Sequence, residues 1–406
     1  MTRTLFTGGR LFDGSGAPPA PADVVMEDGR FVAVGTGLDG DEVVDVSGRT
    51  LLPGLFDCHV HVMVSSIDQL RQLHTPHSLT FYEAIGNLRR TLDVGITTVR
   101  DAGYADLGVK QAVEQGLIAG PRLRISVNMI GQTGGHGDGW LPSGHSTSFP
   151  AYPGMPSGLA DGPDEVRRKV RELIRAGADC IKAFTSGGVL SPRDDPRHGH
   201  FRDDELAVIV AEATAAGIHC LAHAQGAPGI KAAVRAGFRS IEHGIYLDDE
   251  AIEMMLARGT FFVPTLMAPR GVLDAADAGL AIPEASLRKA REVIDIHRDA
   301  FRRAVAAGVR IAMGTDSGVT PHGQNLRELA LMAEGGMSPS DVLVATTRNA
   351  AELLGVDGEL GTIEPGKRAD LVIVDGDPYA FADLSDRIRA VYQDGRLVSG
   401  GVAGAA

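Results

Sequence analysis

Runs of apolar residues divide the 406-residue chain into two β-rich ends and a middle in which strands and helices alternate. The N-terminal part contains short strand-like segments such as TLFTGGRLF and ADVVMEDGRFVAVGT, with Asp28-Gly29 at a hairpin turn. The C-terminal part repeats this pattern and has Asp394-Gly395 at a second hairpin turn. Because chain termini commonly lie close together, we expect residues 1–53 and 358–406 to form one small composite β-sandwich.

The middle part, residues 54–357, contains amphipathic stretches such as PDEVRRKVRELIRAG, which predict helices. Several of these stretches end in a glycine directly before the next strand, which is typical of a left-handed helix cap: Gly95, Gly177, Gly217, Gly237, Gly259 and Gly308. Eight strands are predicted, namely LFDCHVHV, ITTVRDA, RLRISVNM, DCIKAFT, IHCLAHA, RSIEHGI, TFFVPTL and VRIAMGTD. Since no GxGxxG loop follows the first strand, this alternation predicts an α/β fold of the closed (β/α)8 TIM-barrel type.

The charge balance argues against two classes of partner. The net charge is −13, from 39 Lys and Arg against 52 Asp and Glu, so we expect neither nucleic acid nor an anionic membrane to bind.

The chain has no run of roughly 18 apolar residues and no apolar region at its N-terminus, which predicts a cytoplasmic protein. The three cysteines are too few for a disulfide framework, and we expect them to be small buried residues.

A long segment rich in Gly, Ser and Pro, residues 131–162, follows the third predicted strand. This position lies at the face where barrel enzymes hold their active sites. Because long loops without secondary structure are commonly functional, we expect this segment to cover the substrate.

Two histidines stand two residues apart on the first predicted strand, so the side chains of His59 and His61 project from the same face. Neutral imidazoles are common ligands of divalent metals, and two at this spacing can share one ion. A structural pair of histidines would explain the same short motif, so the pair alone does not decide between these interpretations.

Four further residues of ligand type stand near the carboxyl ends of predicted strands: Lys182, His223, His243 and Asp316. In a barrel, such positions are typical of catalytic residues. Each also has a structural alternative, namely a hydrogen-bonded core histidine, a lysine paired with a carboxylate, or an aspartate that caps the helix after GTDSG. The six residues together favour one catalytic site over six separate structural roles.

The motifs PGLFDCHVH, ADCIKAF, CLAHAQG, SIEHG and GTDSG resemble the amidohydrolase superfamily, and the resemblance extends over essentially the whole chain. It implies a hydrolase with two divalent metal ions. One ion would be held by His59, His61 and Asp316, and the other by His223 and His243. Imidazole and carboxylate donors of this kind favour zinc.

The resemblance also implies that Lys182, carboxylated by CO₂, bridges the two ions. A carbamate offers two anionic oxygens, whereas an ammonium group has no lone pair for a metal. Mononuclear deaminases of the superfamily lack this lysine and usually have a Glu where this chain has Gly226, so the binuclear hydrolytic branch is favoured. A metal-bridging hydroxide would then attack the substrate, and Asp316 would move the proton to the leaving amine. Asp57 either orients a ligand histidine or is structural.

The stretches TGGHGD and FTSGGVLSP look most like the prolidase-type group, which includes Xaa-Pro dipeptidases, carboxypeptidase-like enzymes and, further off, imidazolonepropionases. This likeness implies hydrolysis of a dipeptide or N-acyl amino acid with release of the C-terminal amino acid. His136, Gln225 and Tyr246 are the candidate substrate contacts, although His136 could instead be a mobile loop residue.

Two other functions stay open, namely hydrolysis of a cyclic amide such as an imidazolone or hydantoin, and a non-catalytic barrel scaffold. The family often forms homo-oligomers.

Overall fold

A computed structural model describes residues 2–191 and 193–402 of the chain and shows an α/β protein. The strands within these residues are, in chain order, β1 (Thr4–Thr7), β2 (Arg10–Leu11), β3 (Ala20–Pro21), β4 (Asp23–Glu27), β5 (Arg30–Gly35), β6 (Glu42–Asp45), β7 (Arg49–Pro53), β8 (Leu55–Val60), β9 (Ile96–Asp101), β10 (Arg122–Ile125), β11 (Met129–Ile130), β12 (Cys180–Phe184), β13 (His219–Ala224), β14 (Ser240–His243), β15 (Phe261–Val263), β16 (Leu371–Asp375), β17 (Ile388–Gln393) and β18 (Arg396–Gly400).

The strands of the two chain ends form two sheets. One has the order β5-β4-β1-β6, and the other has the order β18-β17-β16-β7-β2-β3. In the second sheet β16 pairs antiparallel with β7, so strands from the two ends of the chain are direct neighbours. The predicted hairpin turns are confirmed, because Asp28 and Gly29 join β4 to β5, Asp394 and Gly395 join β17 to β18, and all four have positive φ. Residues 403–406, the end of the predicted C-terminal part of the β-sandwich, lie outside the described residues.

The strands of the middle part form two parallel sheets, with the orders β10-β9-β8 and β11-β12-β13-β14-β15. Their residues are almost entirely buried, as expected for parallel strands that are covered on both faces. The third predicted strand, RLRISVNM, is divided into β10 and β11. Val127 lies between them with a φ of 64°, a left-handed conformation that ends an extended run.

The eighth predicted strand, VRIAMGTD, is not a regular strand. On one side, Ala312 N donates to Phe262 O of β15 at 3.0 Å. On the other side, Met313 O accepts from Cys58 N of β8 at 2.9 Å. The segment thus lies between the two parallel sheets, and the positive φ of Asp316, 60°, ends its extended part.

The helices within the described residues are, in chain order, α1 (Gln69–His74), α2 (His77–Asp93), α3 (Leu107–Glu114), α4 (Gly162–Arg175), α5 (Asp203–Ala215), α6 (Ala227–Ala236), α7 (Asp249–Arg258), α8 (Met267–Asp277), α9 (Glu284–Ala307), α10 (Arg327–Glu334), α11 (Pro339–Ala345) and α12 (Arg348–Leu354), and a 3₁₀ helix, Phe381–Arg387. Helices α1 to α7 stand between the parallel strands, as predicted, and α8 to α12 follow the last of them. All six glycines predicted to end helices have positive φ. Among residues 2–191 and 193–402, no helix has the length and apolar character needed to cross a membrane.

The largest apolar core lies between the parallel strands and their helices. Ile181 and Ala222 on the strands belong to the same buried cluster as Val170 of α4 and Ile209 of α5. The three cysteines are buried in apolar clusters, as the sequence predicts. This packing leaves the carboxyl ends of the parallel strands free to carry polar side chains.

Candidate active site

A cavity of about 250 Å³ lies at the carboxyl ends of the parallel strands. Residues 136–141 and 147–149 of the long Gly-rich loop form part of its wall, so this segment lies at the cavity, and its role in covering the substrate stays a prediction. The cavity brings together all six predicted ligands and two of the predicted substrate contacts: His59, His61, Lys182, His223, His243, Asp316, His136 and Gln225.

Three of these side chains converge on one point. His59 Nε2 lies 3.5 Å and His61 Nε2 lies 3.3 Å from Asp316 Oδ1. The opposite ring nitrogens face acceptors, because His59 Nδ1 lies 2.7 Å from the Glu242 carboxylate and His61 Nδ1 lies 3.2 Å from Gly103 O. Each Nδ1 therefore holds the ring proton, and the two Nε2 lone pairs and the carboxylate face one another. One ligand atom from each lies within 4.8 Å of the others, an arrangement that fits a metal cation.

Glu242, which the sequence pattern did not identify, orients the His59 ring. The Glu242 side chain is fully buried and accepts two hydrogen bonds from Arg100 Nη2, at 2.8 and 2.9 Å. Arg100 also donates to Cys58 O at 2.7 Å, so both charges are paired and bonded. Strand alternation places Glu242 and His243 on opposite faces of β14. The sequence pattern therefore assigned His243, but not Glu242, to the site. His243 has a left-handed φ of 71°, so strand alternation does not hold at this residue. The ring centroids of His243 and His59 lie 5.0 Å apart.

The remaining two histidines form a second group beside the first. The ring centroids of His223 and His243 lie 4.7 Å apart. His223 Nε2 donates to Gly187 O at 3.1 Å, so His223 Nδ1 keeps a free lone pair. His243 Nδ1 lies 2.8 Å from Thr265 Oγ1. Burial lowers the pKa of both imidazoles well below the ordinary value, so both are neutral near pH 7, the form that binds metals.

Lys182 lies in the same cavity with its amine buried. Among the described residues, Lys182 Nζ has no hydrogen-bond partner. Burial lowers the pKa of Lys182 to about 8. Burial also acts to raise the pKa of Asp316, but His59, His61 and Lys182 outweigh it and bring the pKa to about 2. The site therefore combines a permanent carboxylate with an amine that loses its proton readily.

Comparison with known proteins decides the family. The sequence profile described as "Amidohydrolase family" matches residues 50–403. The chain belongs to the amidohydrolase family. This amidohydrolase is 35% identical to ochratoxinase of Aspergillus niger, over 98% of this chain and 87% of that protein.

Two solved structures resemble this amidohydrolase closely. One is a Xaa-Pro dipeptidase with methionine bound in its active site, with a TM-score of 0.89 and 33% identity over 97% of this chain and 99% of the other. The second is a prolidase in complex with N-methylphosphonate-L-proline, with a TM-score of 0.89 and 34% identity over 98% of this chain and all of the other. The superfamily resemblance is thus confirmed, and the chain is a hydrolase of carbon–nitrogen bonds.

The three predicted substrate contacts of the amidohydrolase differ in position. The His136 ring stacks on that of His223, with centroids 4.4 Å apart and planes inclined by 20°. Gln225 is buried at the cavity wall, and its Oε1 has no hydrogen-bond partner among the described residues. Tyr246 does not line the cavity; its neighbour Ile245 does, and the half-buried Tyr246 packs against an apolar cluster. The structure therefore places Tyr246 beside the apolar part of the cavity lining, and its contact with the substrate stays a prediction.

Part of the cavity lining is apolar. Seven side chains of this lining belong to one packed apolar cluster: Ile67, Val189, Leu190, Ile245, Val272, Ile282 and Val319. A mostly apolar pocket with a few convergent polar groups is typical of a small-molecule site.

Of the two roles predicted for Asp57, orienting a ligand histidine or a structural one, its contacts support the structural one. Its Oδ1 accepts from the backbone of His59 and of Thr315, both at 3.1 Å. Its Oδ2 accepts from Thr315 Oγ1 at 2.6 Å and from Asn325 Nδ2 at 2.8 Å. Asp57 thus joins the two segments that carry His59 and Asp316, whereas Glu242 contacts the His59 ring.

Proposed function

We propose that this amidohydrolase hydrolyses a dipeptide or an N-acyl amino acid and releases the C-terminal amino acid. The observation that supports this proposal most strongly is the arrangement of acceptors at one point, where the lone pairs of His59 and His61 face the Asp316 carboxylate. This group opens directly into a cavity of small-molecule size.

The imidazole and carboxylate side chains of the cavity suit two divalent ions. Ligands of these types favour zinc. His59, His61 and Asp316 would hold one ion, and His223 and His243 the other. The Lys182 amine has no hydrogen-bond partner among the described residues and a pKa lowered to about 8, so it fits carboxylation by CO₂, and the carbamate would supply two anionic oxygens to the ions. When bound, such ions lower the pKa of water and polarise a carbonyl.

Asp316 moves the proton in this proposal. Its low pKa keeps the carboxylate ionised at neutral pH, next to the imidazoles of His59 and His61. It accepts a proton from the attacking water and delivers the proton to the nitrogen of the leaving amino acid, which is general base and then general acid catalysis.

The rest of the cavity supports a leaving group that carries a carboxylate. His136 and Gln225 offer polar atoms to the cavity, and the apolar part of its lining can accept an aliphatic side chain. Methionine in the Xaa-Pro dipeptidase and the proline derivative in the prolidase are both amino-acid ligands of related enzymes.

We also propose that the two parallel sheets, joined by residues 309–316, belong to one (β/α)8 barrel spanning residues 54–357. Backbone hydrogen bonds from this segment to β15 and to β8 support the closure. The mixed sheet of β7 and β16 supports the composite β-sandwich of residues 1–53 and 358–406.

Blocking the carboxylate of the substrate tests the leaving-group proposal. After a screen of dipeptides and N-acyl amino acids, N-acetyl-L-methionine should be hydrolysed with a kcat/KM at least about tenfold above that of its C-terminal amide, because a charge-assisted hydrogen bond of about 1.5–3 kcal/mol is lost. His136→Ala should reduce kcat/KM for the acid far more than for the amide. His219→Ala, which removes an exposed histidine at the amino end of β13, is the matched control and should change neither.

Equal rates on the acid and the amide in the wild-type enzyme would refute a carboxylate-bearing leaving group. A preference for cyclic amides over every linear substrate would instead support imidazolone or hydantoin hydrolysis.

A further inference from the structure

A buried lysine attaches the loop after β12 to helix α9. Lys289 Nζ donates to the carbonyl oxygens of Gly188, Ser191 and Asp194, at 2.9, 2.7 and 2.5 Å, and lies 3.2 Å from Asp194 Oδ1. The side chains of Lys289 and Asp194 are only 8% and 5% exposed. A buried charge is strongly unfavourable unless it is paired and hydrogen-bonded. Lys289 therefore ties Gly188, Ser191 and Asp194 of this loop to helix α9.

The same loop holds the His136 ring. His136 Nδ1 lies 2.6 Å from Ser191 Oγ and 3.4 Å from Asp194 Oδ2. The Ser191 hydroxyl donates its only proton to Asp194 Oδ1, so Ser191 Oγ accepts from His136. His136 Nδ1 therefore carries a proton, and Nε2 is the ring nitrogen that remains for a molecule in the cavity.

Two glycines of the FTSGG motif bring this loop against both rings of the stack. Gly187 O accepts from His223 Nε2 at 3.1 Å. A Cβ at Gly188 would lie 2.3 Å from His136 Cε1, so only glycine allows the ring to lie here. The loop thus fixes His136 and His223 relative to each other.

We propose that Asp194 and Lys289 are positioning residues that hold His136 at the cavity wall, where the ring, with protons on both nitrogens, donates from Nε2 to the carboxylate of the substrate. Neither residue lines the cavity, so neither contacts the substrate directly. Lys289 holds the loop, Ser191 fixes the plane of the His136 ring, and the Asp194 carboxylate balances the charge of the doubly protonated ring, so that His136 can contact the carboxylate of the ligand. This inference rests on the proposed function, because it concerns how that site recognises its leaving group.

A double-mutant cycle tests whether Asp194 acts through His136. Asp194→Asn keeps the shape of the side chain but can place an amide donor against the Nδ1 proton of His136. We expect kcat/KM for N-acetyl-L-methionine to fall at least about fivefold, mainly through a higher KM, with a change of less than about twofold for its amide. In a His136→Ala background, Asp194→Asn should cause no further loss. Independent, additive losses on the acid would overturn the proposal.

Lysine variants provide the matched comparison. Lys289→Met should reproduce the selective loss on the acid. Lys169→Met, which removes an equally buried lysine that pairs with Glu172 away from the cavity, should leave the ratio of acid to amide rates unchanged. If Lys289→Met does not fold, the Asp194 cycle still decides. A loss of selectivity in Lys169→Met equal to that in Lys289→Met would overturn the proposal.

A structural measurement separates this inference from the proposed function. If wild-type enzyme treats acid and amide alike, the proposed function fails, and the inference is then tested by the crystal structure of Asp194→Asn. Displacement of the His136 ring from its 4.4 Å stack on His223 would support the positioning role. An unmoved ring would overturn it.

Discussion

Asp316→Asn should lower kcat by about 10²–10⁴-fold, the usual range for the loss of general acid–base catalysis. Asparagine has nearly the same size as aspartate and keeps one oxygen, but it cannot accept the proton that the leaving amine needs. It also removes the negative charge that lies 3.5 and 3.3 Å from the Nε2 atoms of His59 and His61. Steady-state kinetics on an active N-acyl amino acid measures the effect.

A matched aspartate controls for the substitution itself. Asp106 is as buried as Asp316, at 9% exposed, but it caps α3 by accepting from Val109 N and does not line the cavity. Asparagine is an equally good helix cap, so Asp106→Asn should keep both the fold and kcat. Near-normal turnover in Asp316→Asn, with metal bound, would mean that another group transfers the proton.

Lys182→Ala should reduce the bound metal from two ions per chain to one or none and should abolish most activity. The reason is that the variant loses Lys182, the one lysine among the described residues that lines the cavity, and with it the proposed carbamate, whereas the imidazole ligands remain. Short carboxylic acids should restore part of the activity, since a carboxylate can replace the two carbamate oxygens. Elemental analysis and assays with and without added acetate measure both effects.

Lys169→Ala is the control for this experiment, because Lys169 is also buried but donates to Glu172 on α4. Its metal content should equal that of the wild type. Electron density for an unmodified, salt-bridged Lys182 in fully active, metal-loaded enzyme would refute the bridging role.

The ligand positions could be predicted from the sequence because they follow local rules. His59 and His61 share a face through strand alternation, and His223 stands near the end of a buried strand. The hairpin turns at Asp28 and Asp394 follow from turn chemistry alone.

The residues that orient the ligands could not be predicted in this way. Glu242 contacts His59 across 183 positions, and Arg100 contacts Glu242 across 142, so only tertiary packing brings them together. Positive φ at His243 and Asp316 also breaks the alternation on which the face assignments rest. Backbone of this kind is strained, and such strain is frequent at functional sites.

Local rules do not decide the place of Tyr246. It stands three residues after His243, in a turn where strand alternation no longer assigns a face. Ile245 lines the cavity, and the half-buried Tyr246 packs against the apolar cluster that contains Ile245, so its contact with the substrate stays a prediction.

Metal content tests the central claim of this account most directly. The purified wild-type protein should contain about two divalent ions per chain, with zinc favoured by imidazole and carboxylate donors. Removing the ions with a chelator should abolish amide hydrolysis, and adding a divalent metal should restore it. Protein that contains no metal by elemental analysis, and that no divalent ion activates, would contradict the account.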